Sequence, residues 1–436
     1  MNMRQPLDSL YDYLANEEDA RVCRDISDTA CTAVPRNFFL IIVANTLSKL
    51  GDALSNPKTV LAWLLEYLHA PLYLIGLLVP IRESGSLIPQ LAIASYIRHL
   101  AIRKWAWIGG SIIQAASIMA TGLVALHLQG ATAGWAVIGL LVFFSLGRGI
   151  CSVAFKDVLG KTIPKTRRGL LSGYSASLAG YLGMAIGLAF LVFGHEAAGG
   201  PFYGWLLLCT GASWLVAAAV YAAVEEEPGE TGGGGNALAE ALQRMGLLAA
   251  DRDFRRFVIT RALLLCSALT APYYVVLAQD THAGELFLLG LFILANGLAS
   301  SISAPVWGRL SDRSSKSVMI MAALMTAALG IATFIIASWI PGLHENRWTY
   351  PLLFMLLGIA HSGVRLGRKT YIVDLAGGNR RTDYVAVSNT VIGVVLLVMG
   401  GVGAAASGTS AAGVILLFSI LGLLGAVIGR GLPEVE

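Results

Sequence analysis

Long apolar stretches separated by short polar connections run along almost the whole chain. A bilayer core about 30 Å thick is crossed by a helix of about 20 mostly apolar residues. Twelve stretches meet this requirement, six on each side of one long polar segment: 37–65, 71–97, 105–128, 134–158, 168–194, 202–224, 256–279, 285–309, 317–340, 349–374, 382–406 and 411–430. They are too long, and too rich in Ala, Leu and Gly, for alternating strands. The pattern predicts an all-α integral membrane protein with twelve transmembrane helices in two six-helix halves.

The polar segments divide the chain into five parts. We predict an N-terminal tail at 1–36, a six-helix bundle at 37–224, a linker at 225–255, a second bundle at 256–430 and a short tail at 431–436. The linker begins with the glycine-rich sequence EEEPGETGGGGN, which is typical of a flexible connection. The residues that follow predict a short amphipathic helix that leads into the seventh span.

Composition agrees with a lipid environment. Apolar residues make up 56% of the chain and charged residues 13%, against roughly 25% charged in soluble proteins. The nearly equal numbers of basic and acidic residues, 31 and 27, indicate no nucleic-acid partner. The five cysteines have no metal-ligand spacing, so we expect free thiols, no metal and no cofactor. The expected partners are the lipid bilayer and a small-molecule solute, and we expect a monomer.

The distribution of Lys and Arg predicts the orientation. Of the 22 basic residues outside the spans, 21 lie on the side of the termini and the linker, and only Arg347 lies on the other. Basic connections stay in the cytoplasm. We therefore predict that both termini and the linker are cytoplasmic, in a multi-pass protein of the plasma membrane, most simply a bacterial inner membrane.

The two halves share a weak internal repeat. A shift of 213 residues superimposes six identical positions, pairing Lys156, Arg167, Arg168, Ser175, Gly180 and Gly187 with Lys369, Arg380, Arg381, Ser388, Gly393 and Gly400. The same shift places His361 on Arg148. Together with the matching order of spans, this indicates two related halves about an axis along the membrane normal.

The connection between the eighth and ninth spans carries the most specific motif. It reads WGRLSDRSSKS, with Gly308, Leu310, Asp312, Arg313 and Lys316 at fixed spacing. This resembles the G-x-L-x-D-R-x-G-[RK] signature of the major facilitator superfamily, although Ser315 replaces the usual glycine and the equivalent loop after the second span has no aspartate. The resemblance implies secondary transport by alternating access, with a midplane site between the halves. It also implies that Gly308, Asp312, Arg313 and Lys316 belong to a gate.

Ionisable residues within the spans are the candidates for function. Each costs about 2.5–3.5 kcal/mol at the bilayer centre, so each needs a partner or a task. The deeper basic residues are Lys49, Lys58, Arg82, Arg148 and Arg365, and the deeper acids are Asp52 and Glu83. Lys49 and Asp52 are spaced to neutralise each other at i, i+3. The basic excess that remains predicts an anionic or zwitterionic solute, because arginine donates two parallel hydrogen bonds to carboxylate or phosphate.

We assign these residues to two roles. The candidate substrate-binding residues are Arg148, Arg82, Arg365, His361, Asn45 and Asn389. Protons are the expected coupling ion, with Asp52 as the first candidate carrier and Glu83 as the second. Ionisable groups nearer the cytoplasmic ends are expected to snorkel or to form an inner salt-bridge network, and they are Lys156, Asp157, Arg261, Arg368, Lys369 and Asp374.

Three alternatives remain open. Asp52 and Glu83 are compatible with proton-driven export of multiple drugs or amphiphiles. A membrane-embedded enzyme would need a catalytic constellation, and neither G-x-S-x-G nor H-E-x-x-H is present. A sensor without transport is the third possibility. Five histidines lie in different outward-facing loops, at His69, His127, His195, His282 and His344, and nothing in the sequence brings them together as a metal site or pH sensor.

Overall fold

The computed structural model contains the twelve expected spans. It describes residues 11, 28–194, 199–232, 245–282, 285–376 and 381–435. Within these residues, twelve helices are long and apolar enough to cross a membrane. Numbered as spans 1 to 12, they are Thr29–Leu54, Leu72–Arg98, Lys104–His127, Gly130–Thr162, Lys165–Phe193, Gly200–Ala222, Arg252–Gln279, Leu286–Ser311, Ser315–Trp339, Thr349–Leu375, Tyr384–Ala406 and Ala411–Arg430.

The first span differs from the predicted stretch 37–65. Its helix begins at Asp28 and ends at Leu54, and a short helix, Val60–Tyr67, follows after a break. Pro57 lies in this break and has no backbone N–H to continue the helix. The Asn56 side chain caps the turn by accepting a hydrogen bond from Lys58 N at 2.9 Å. The break places Lys58 on irregular backbone inside the protein, where the freed polar groups can be satisfied.

Two further spans are composite. Span 2 consists of helices Leu72–Leu87 and Gln90–Arg98, which meet at Pro89. Span 7 consists of Arg252–Leu263, Cys266–Leu269 and Ala271–Gln279. Short helices at Leu247–Ala250 and Pro341–His344 lie in the linker and between spans 9 and 10. Residues 237–244 of the amphipathic helix predicted in the linker lie outside the described residues, and the rest of the predicted segment contains the short helix Leu247–Ala250 and the start of span 7.

The two halves meet through small residues at equivalent positions. A Cβ at Gly187 in span 5 would lie 3.1 Å from the Leu294 side chain of span 8. At the repeat-related position, a Cβ at Gly400 in span 11 would lie 2.4 Å from the Pro80 side chain of span 2. Close helix contact therefore requires glycine at both places. The equivalence of the span 5–span 8 and span 2–span 11 contacts supports the internal repeat.

The contacts between the halves lie toward one membrane face. We call the face that bears the termini and residues 225–255 the linker side, and the opposite face the far side. On the far side, Gln279 Nε2 donates to Trp63 O at 3.1 Å and Phe287 N donates to Gly194 O at 3.0 Å. Near the linker-side ends of spans 5 and 8, a Cβ at Gly173 or Gly308 would meet nothing within 4 Å. The hydrogen bonds between the halves thus lie on the far side and at mid-span, where Ser84 Oγ donates to Gly393 O at 2.8 Å, whereas spans 5 and 8 make no close contact at these two linker-side glycines.

Acidic residues attach the linker and the C-terminal tail to the bundles. The fully buried carboxylate of Glu226 accepts hydrogen bonds from the backbone N–H groups of Arg103 and Lys104, at 3.0 and 2.6 Å, and pairs with Lys161 at 2.9 Å. Glu434 pairs with Lys316 at 3.1 Å. The linker that follows span 6 therefore holds the connection before span 3. In the same way, the tail that follows span 12 holds the connection before span 9.

One cysteine differs from the expectation of free thiols. Cys31 is disulfide-bonded. Cys151, Cys209 and Cys266 are free, and Cys209 is exposed. Cys23 lies outside the described residues. The expectation rested on sequence spacing alone, which does not determine which thiols approach each other.

Candidate functional site

A cavity runs through the centre of the protein, between the two halves. Its part nearer the far side, the upper chamber, has a volume of about 420 Å³ and reaches Phe354 and Leu357 of span 10. Its part nearer the linker side, the lower chamber, has a volume of about 360 Å³ and reaches Arg368 and Lys369. The two chambers adjoin each other, and six residues line both, namely Lys58, Glu83, Arg148, Ser267, His361 and Arg365.

The charges on the cavity walls are strongly unbalanced. Its acidic lining residues are Asp52 and Glu83. Its basic lining residues are Lys49, Lys58, Arg82, Arg148, Arg261, Arg365, Arg368 and Lys369. Among the described residues, eight basic groups against two acidic groups leave a formal excess of six positive charges. Buried charge of one sign needs a counter-ion, so this cavity is electrostatically suited to an anion.

Asp52 brings together two of the predicted arginines. Its Oδ1 accepts from Arg82 Nη2 at 2.7 Å and also from Arg148 Nη1. The guanidinium of Arg82 also packs over the Phe144 ring, 5.5 Å from its centroid. Asp52 in span 1 thus links spans 2 and 4 on the cavity wall.

The expected pair between Lys49 and Asp52 is not formed. The Lys49 ammonium instead donates to the backbone carbonyl of Ser172 in span 5, at 3.4 Å. The i, i+3 spacing allowed a pair within span 1. The tertiary structure offers Asp52 two guanidinium groups on neighbouring spans, and charge-assisted bonds from arginine are strong and directional.

A chain of hydrogen bonds crosses from one half to the other inside the cavity. Lys58 Nζ of the first half lies 3.1 Å from His361 Nε2 of the second. The other ring nitrogen, His361 Nδ1, lies 2.9 Å from Ser267 Oγ, and this hydroxyl donates to Leu264 O at 3.2 Å. Because an ammonium only donates, Nε2 accepts and Nδ1 carries the proton. With Lys58 as an ammonium, this pairing requires a neutral His361 ring.

One face of span 10 presents basic groups that lack acidic partners. Arg365, Arg368 and Lys369 are spaced i, i+3 and i+4, so they lie on the same face of the helix. All three line the lower chamber. Within the described part of the chain none of them forms an ion pair.

The expected inner salt-bridge network forms only in part. Asp157 pairs with Arg103 at 3.4 Å. Arg261, Arg368 and Lys369 line the lower chamber instead. Distance along a span gave the depth of these residues but not the direction of their side chains. The i, i+3, i+4 spacing from Arg365 to Lys369 was the sequence signal that could have identified a common face.

The predicted asparagines have different surroundings. Asn389 lines the lower chamber and accepts from Arg261 Nη2 at 2.9 Å, while Ser388 accepts from Arg261 Nη1 at 2.7 Å. Asn45 is buried in span 1 and lines neither chamber. The structure thus brings together every predicted substrate and proton residue except Asn45.

The residues of the predicted gate lie at the linker-side end of span 8. Ser314 caps span 9 by accepting from Ser317 N at 3.1 Å, and Asp312 and Arg313 are exposed. Lys316 is held by Glu434 of the C-terminal tail. The close helix contact that Gly308 could permit is not made in this conformation.

The far-side rim gathers acidic and histidine side chains from both halves. Burial and, to a smaller extent, the neighbouring Asp280 raise the pKa of Glu66 to about 7. Burial also raises the pKa of Asp280, while His344 opposes that shift. His282 Nε2 lies 2.8 Å from Glu345 O. No metal-binding cluster of His, Cys, Asp or Glu occurs among the described residues, and His195 lies outside them.

Comparison with known sequences gives a consistent family. The sequence profile of the Major Facilitator Superfamily matches residues 41–394 and, in a second match, 257–434. An uncharacterised MFS-type transporter of Methanocaldococcus jannaschii is 24% identical over 62% of this chain and 65% of its own length. An uncharacterised protein of Mycobacterium tuberculosis is 24% identical over 78% of this chain and 64% of its own length. The chain thus spans slightly less than two thirds of these relatives.

Solved structures show the same fold. The inward-open xylose transporter XylE from E. coli superimposes with a TM-score of 0.66, at 13% identity, over 92% of this chain and 97% of its own. The nucleoside transporter NupG superimposes with a TM-score of 0.66, at 11% identity, over 91% and 98%. Members of this family are multi-pass membrane transporters rather than enzymes. The chain, matched by the family profile along most of its length, belongs to the major facilitator superfamily.

Proposed function

We propose that this protein is a secondary active transporter of a small anionic solute, moved by alternating access through the central cavity. The observation that carries the proposal is the excess of six positive charges on the cavity walls. Those charges are held in place by the spans and cannot neutralise one another. The cavity therefore attracts an anion and repels a cation.

The guanidinium groups suggest how the anion is held. Arg148 in the first half and Arg365 in the second both line the two chambers, so an anion between them would contact both halves. Arginine favours carboxylate and phosphate because its planar fork donates two parallel hydrogen bonds. Asp52 orients Arg148, whereas Arg365 keeps its donors available. We therefore assign Arg148 to positioning and Arg365 to the strongest contact with the solute.

Proton coupling is assigned here to Lys58 and His361. Imidazole is the side chain that changes charge most readily near neutral pH. A proton on His361 would place a second cation 3.1 Å from the Lys58 ammonium, which is unfavourable unless an anion lies beside both. Proton and anion would then bind together and be released together. Asp52 already holds two arginines, so Glu83 is the better carboxylate candidate for a proton carrier.

Alternating access follows from the contacts between the halves. We infer that the present arrangement opens toward the linker side, which the distribution of basic residues predicts to be cytoplasmic. Opening to the far side would separate Trp63 from Gln279 and bring the linker-side ends of spans 5 and 8 together. The Lys58–His361 contact joins the halves and would change with this motion, which links the protonation site to access.

Uptake into proteoliposomes tests the proposal. Labelled carboxylates, organic phosphates, sugars and quaternary ammonium compounds would be compared with and without an imposed proton gradient. We expect accumulation of one or more anions, enhanced by the gradient. Accumulation of quaternary ammonium compounds alone would refute the anionic cavity.

Export of amphiphilic compounds is the second candidate. A multidrug resistance protein of Citrobacter koseri is 36% identical over 20% of this chain and 20% of its own length. The charge of the cavity argues against cationic drugs. An apolar recess beside the upper chamber nevertheless favours solutes with an apolar part.

A further inference from the structure

A second cavity, which we call the annex, adjoins the upper chamber between spans 1, 5 and 8. Its volume is about 480 Å³. Four residues line both the annex and the upper chamber, and they are Lys49, Ala53, Asn296 and Ser300. The annex and the upper chamber therefore adjoin at these four residues.

The annex is lined mainly by small and apolar side chains. On span 5 these include Ala179, Gly180, Gly183 and Met184, and on span 8 they include Ile293. Two of its serines need no hydrogen-bond acceptor from a ligand. Ser300 Oγ and Ser301 Oγ each donate at 3.0 Å to a carbonyl one turn earlier in their own helix. The charged group of the annex, Lys49, lies where the annex joins the upper chamber.

The annex also reaches the outer surface of the spans. Tyr181 lines it and is 66% exposed. Spans 5 and 8 touch at Gly187 and Gly290, near the far side. At Gly180 and Gly183, nearer the linker side, an added Cβ would meet nothing within 4 Å. The annex lining therefore reaches the outer surface at Tyr181, while a Cβ at Gly297 of span 8 would lie 3.0 Å from the Met184 side chain of span 5.

We propose that the annex binds the apolar chain of an amphiphilic anion whose charged headgroup lies in the upper chamber. This inference rests on the anionic cavity of the proposed function and specifies the class of solute. Arg365, Lys49 and Lys58 line the upper chamber where the headgroup would lie, and the glycines of span 5 leave room for the chain. Because a basic and an apolar compartment adjoin, one molecule with a charged part and an apolar part fits them better than two separate ligands.

A homologous series of alkyl phosphates tests the annex. Binding of ethyl, butyl, hexyl and octyl phosphate would be measured on the purified protein in nanodiscs of neutral lipid, with empty discs subtracted. Each methylene that enters the annex should strengthen binding about fourfold. Repeating the measurement in discs that contain an anionic phospholipid shows whether a membrane lipid competes for the site, which would identify the bilayer as the source of the amphiphile.

Filling the annex should remove the dependence on chain length. The variants Gly180→Leu and Gly183→Leu place a side chain where the structure has open space, so neither should disturb helix packing. We expect both to weaken octyl phosphate to the affinity of ethyl phosphate and to leave ethyl phosphate unchanged. Gly139→Leu is the matched control, because an added Cβ at this exposed glycine of span 4 also meets nothing within 4 Å.

Two results separate the failure of this inference from the failure of the proposed function. Equal affinities for ethyl and octyl phosphate in the unmodified protein, or undiminished octyl phosphate binding in both filled variants, would overturn the annex alone. Binding of octyltrimethylammonium in place of octyl phosphate would instead overturn the anionic cavity.

Discussion

Removing Arg365 should weaken anion binding without destabilising the fold. Arg365 lines both chambers and forms no ion pair within the described part of the chain, and its neighbours Lys58, Arg368 and Lys369 carry the same charge. Arg365→Ala therefore takes away a donor to the solute and relieves repulsion between cations. Few substitutions in a binding site combine these two effects.

The expected magnitude follows from the contact that is lost. A hydrogen bond to a charged group contributes about 1.5–3 kcal/mol, which corresponds to binding weaker by about 10- to 150-fold. Arg365→Lys keeps the charge but loses the fork, so its loss should be intermediate. The melting temperature of Arg365→Ala should be unchanged or raised. Arg148→Ala should lower it, because Asp52 would lose one of its two partners, at a cost of about 1–2 kcal/mol for this partly exposed pair.

Binding of the anion found in the uptake panel would be measured by calorimetry, and melting would be followed on the same samples. Low salt is needed because chloride screens and competes for the site. Arg309→Ala is the control, since this exposed base of span 8 lies at its linker-side end, outside the residues that line either chamber. If Arg365→Ala bound the anion as tightly as the unmodified protein, or melted as early as Arg148→Ala, the assignment of Arg365 would be wrong.

Three further outcomes are expected. Asp52→Asn should lower the melting temperature because Arg82 and Arg148 lose the carboxylate they share. Glu83→Gln should lower it less, because Glu83 lies among basic residues but forms no ion pair within the described part of the chain, and it should reduce gradient-driven accumulation; equal melting of the two variants would contradict this. Because the pKa of Glu66 is raised to about 7 in this conformation, its contribution to stability is fully present below its ordinary pKa and is lost as pH rises through 7. The melting temperature should therefore fall between pH 5 and pH 8, and Glu66→Gln should flatten that slope. Reporter fusions after residues 130, 232 and 345 should read outside, inside and outside, and any reversal would refute the predicted orientation.

Individual side chains show where inference from the sequence ends. The depth of Arg148 and Arg365 followed from counting helical residues, and both lie in the central cavity. The partners of Asp52 could not be predicted in this way. Lys49 at i, i+3 is the nearby base within span 1, but Asp52 accepts hydrogen bonds from two arginines on other spans. Arg261, Arg368 and Lys369 were placed at the correct depth but given the wrong surroundings. Sequence fixes position along a helix, whereas rotation about the helix axis is set by the neighbours against which it packs.

The sequence by itself determined the membrane class, the twelve spans, the two related halves and the family, because each depends on composition, length or local motif. Lipid requires every span to satisfy its own backbone hydrogen bonds, so spans can be recognised one at a time. Only the tertiary structure decided that Lys58 meets His361, that three bases of span 10 share a cavity without forming an ion pair among the described residues, and that an apolar annex lies between spans 5 and 8. These features depend on how helices distant in sequence approach and turn toward one another. In a membrane that arrangement is set by close packing of small residues, such as Gly187 and Gly400, rather than by the apolar pattern that all the spans have in common.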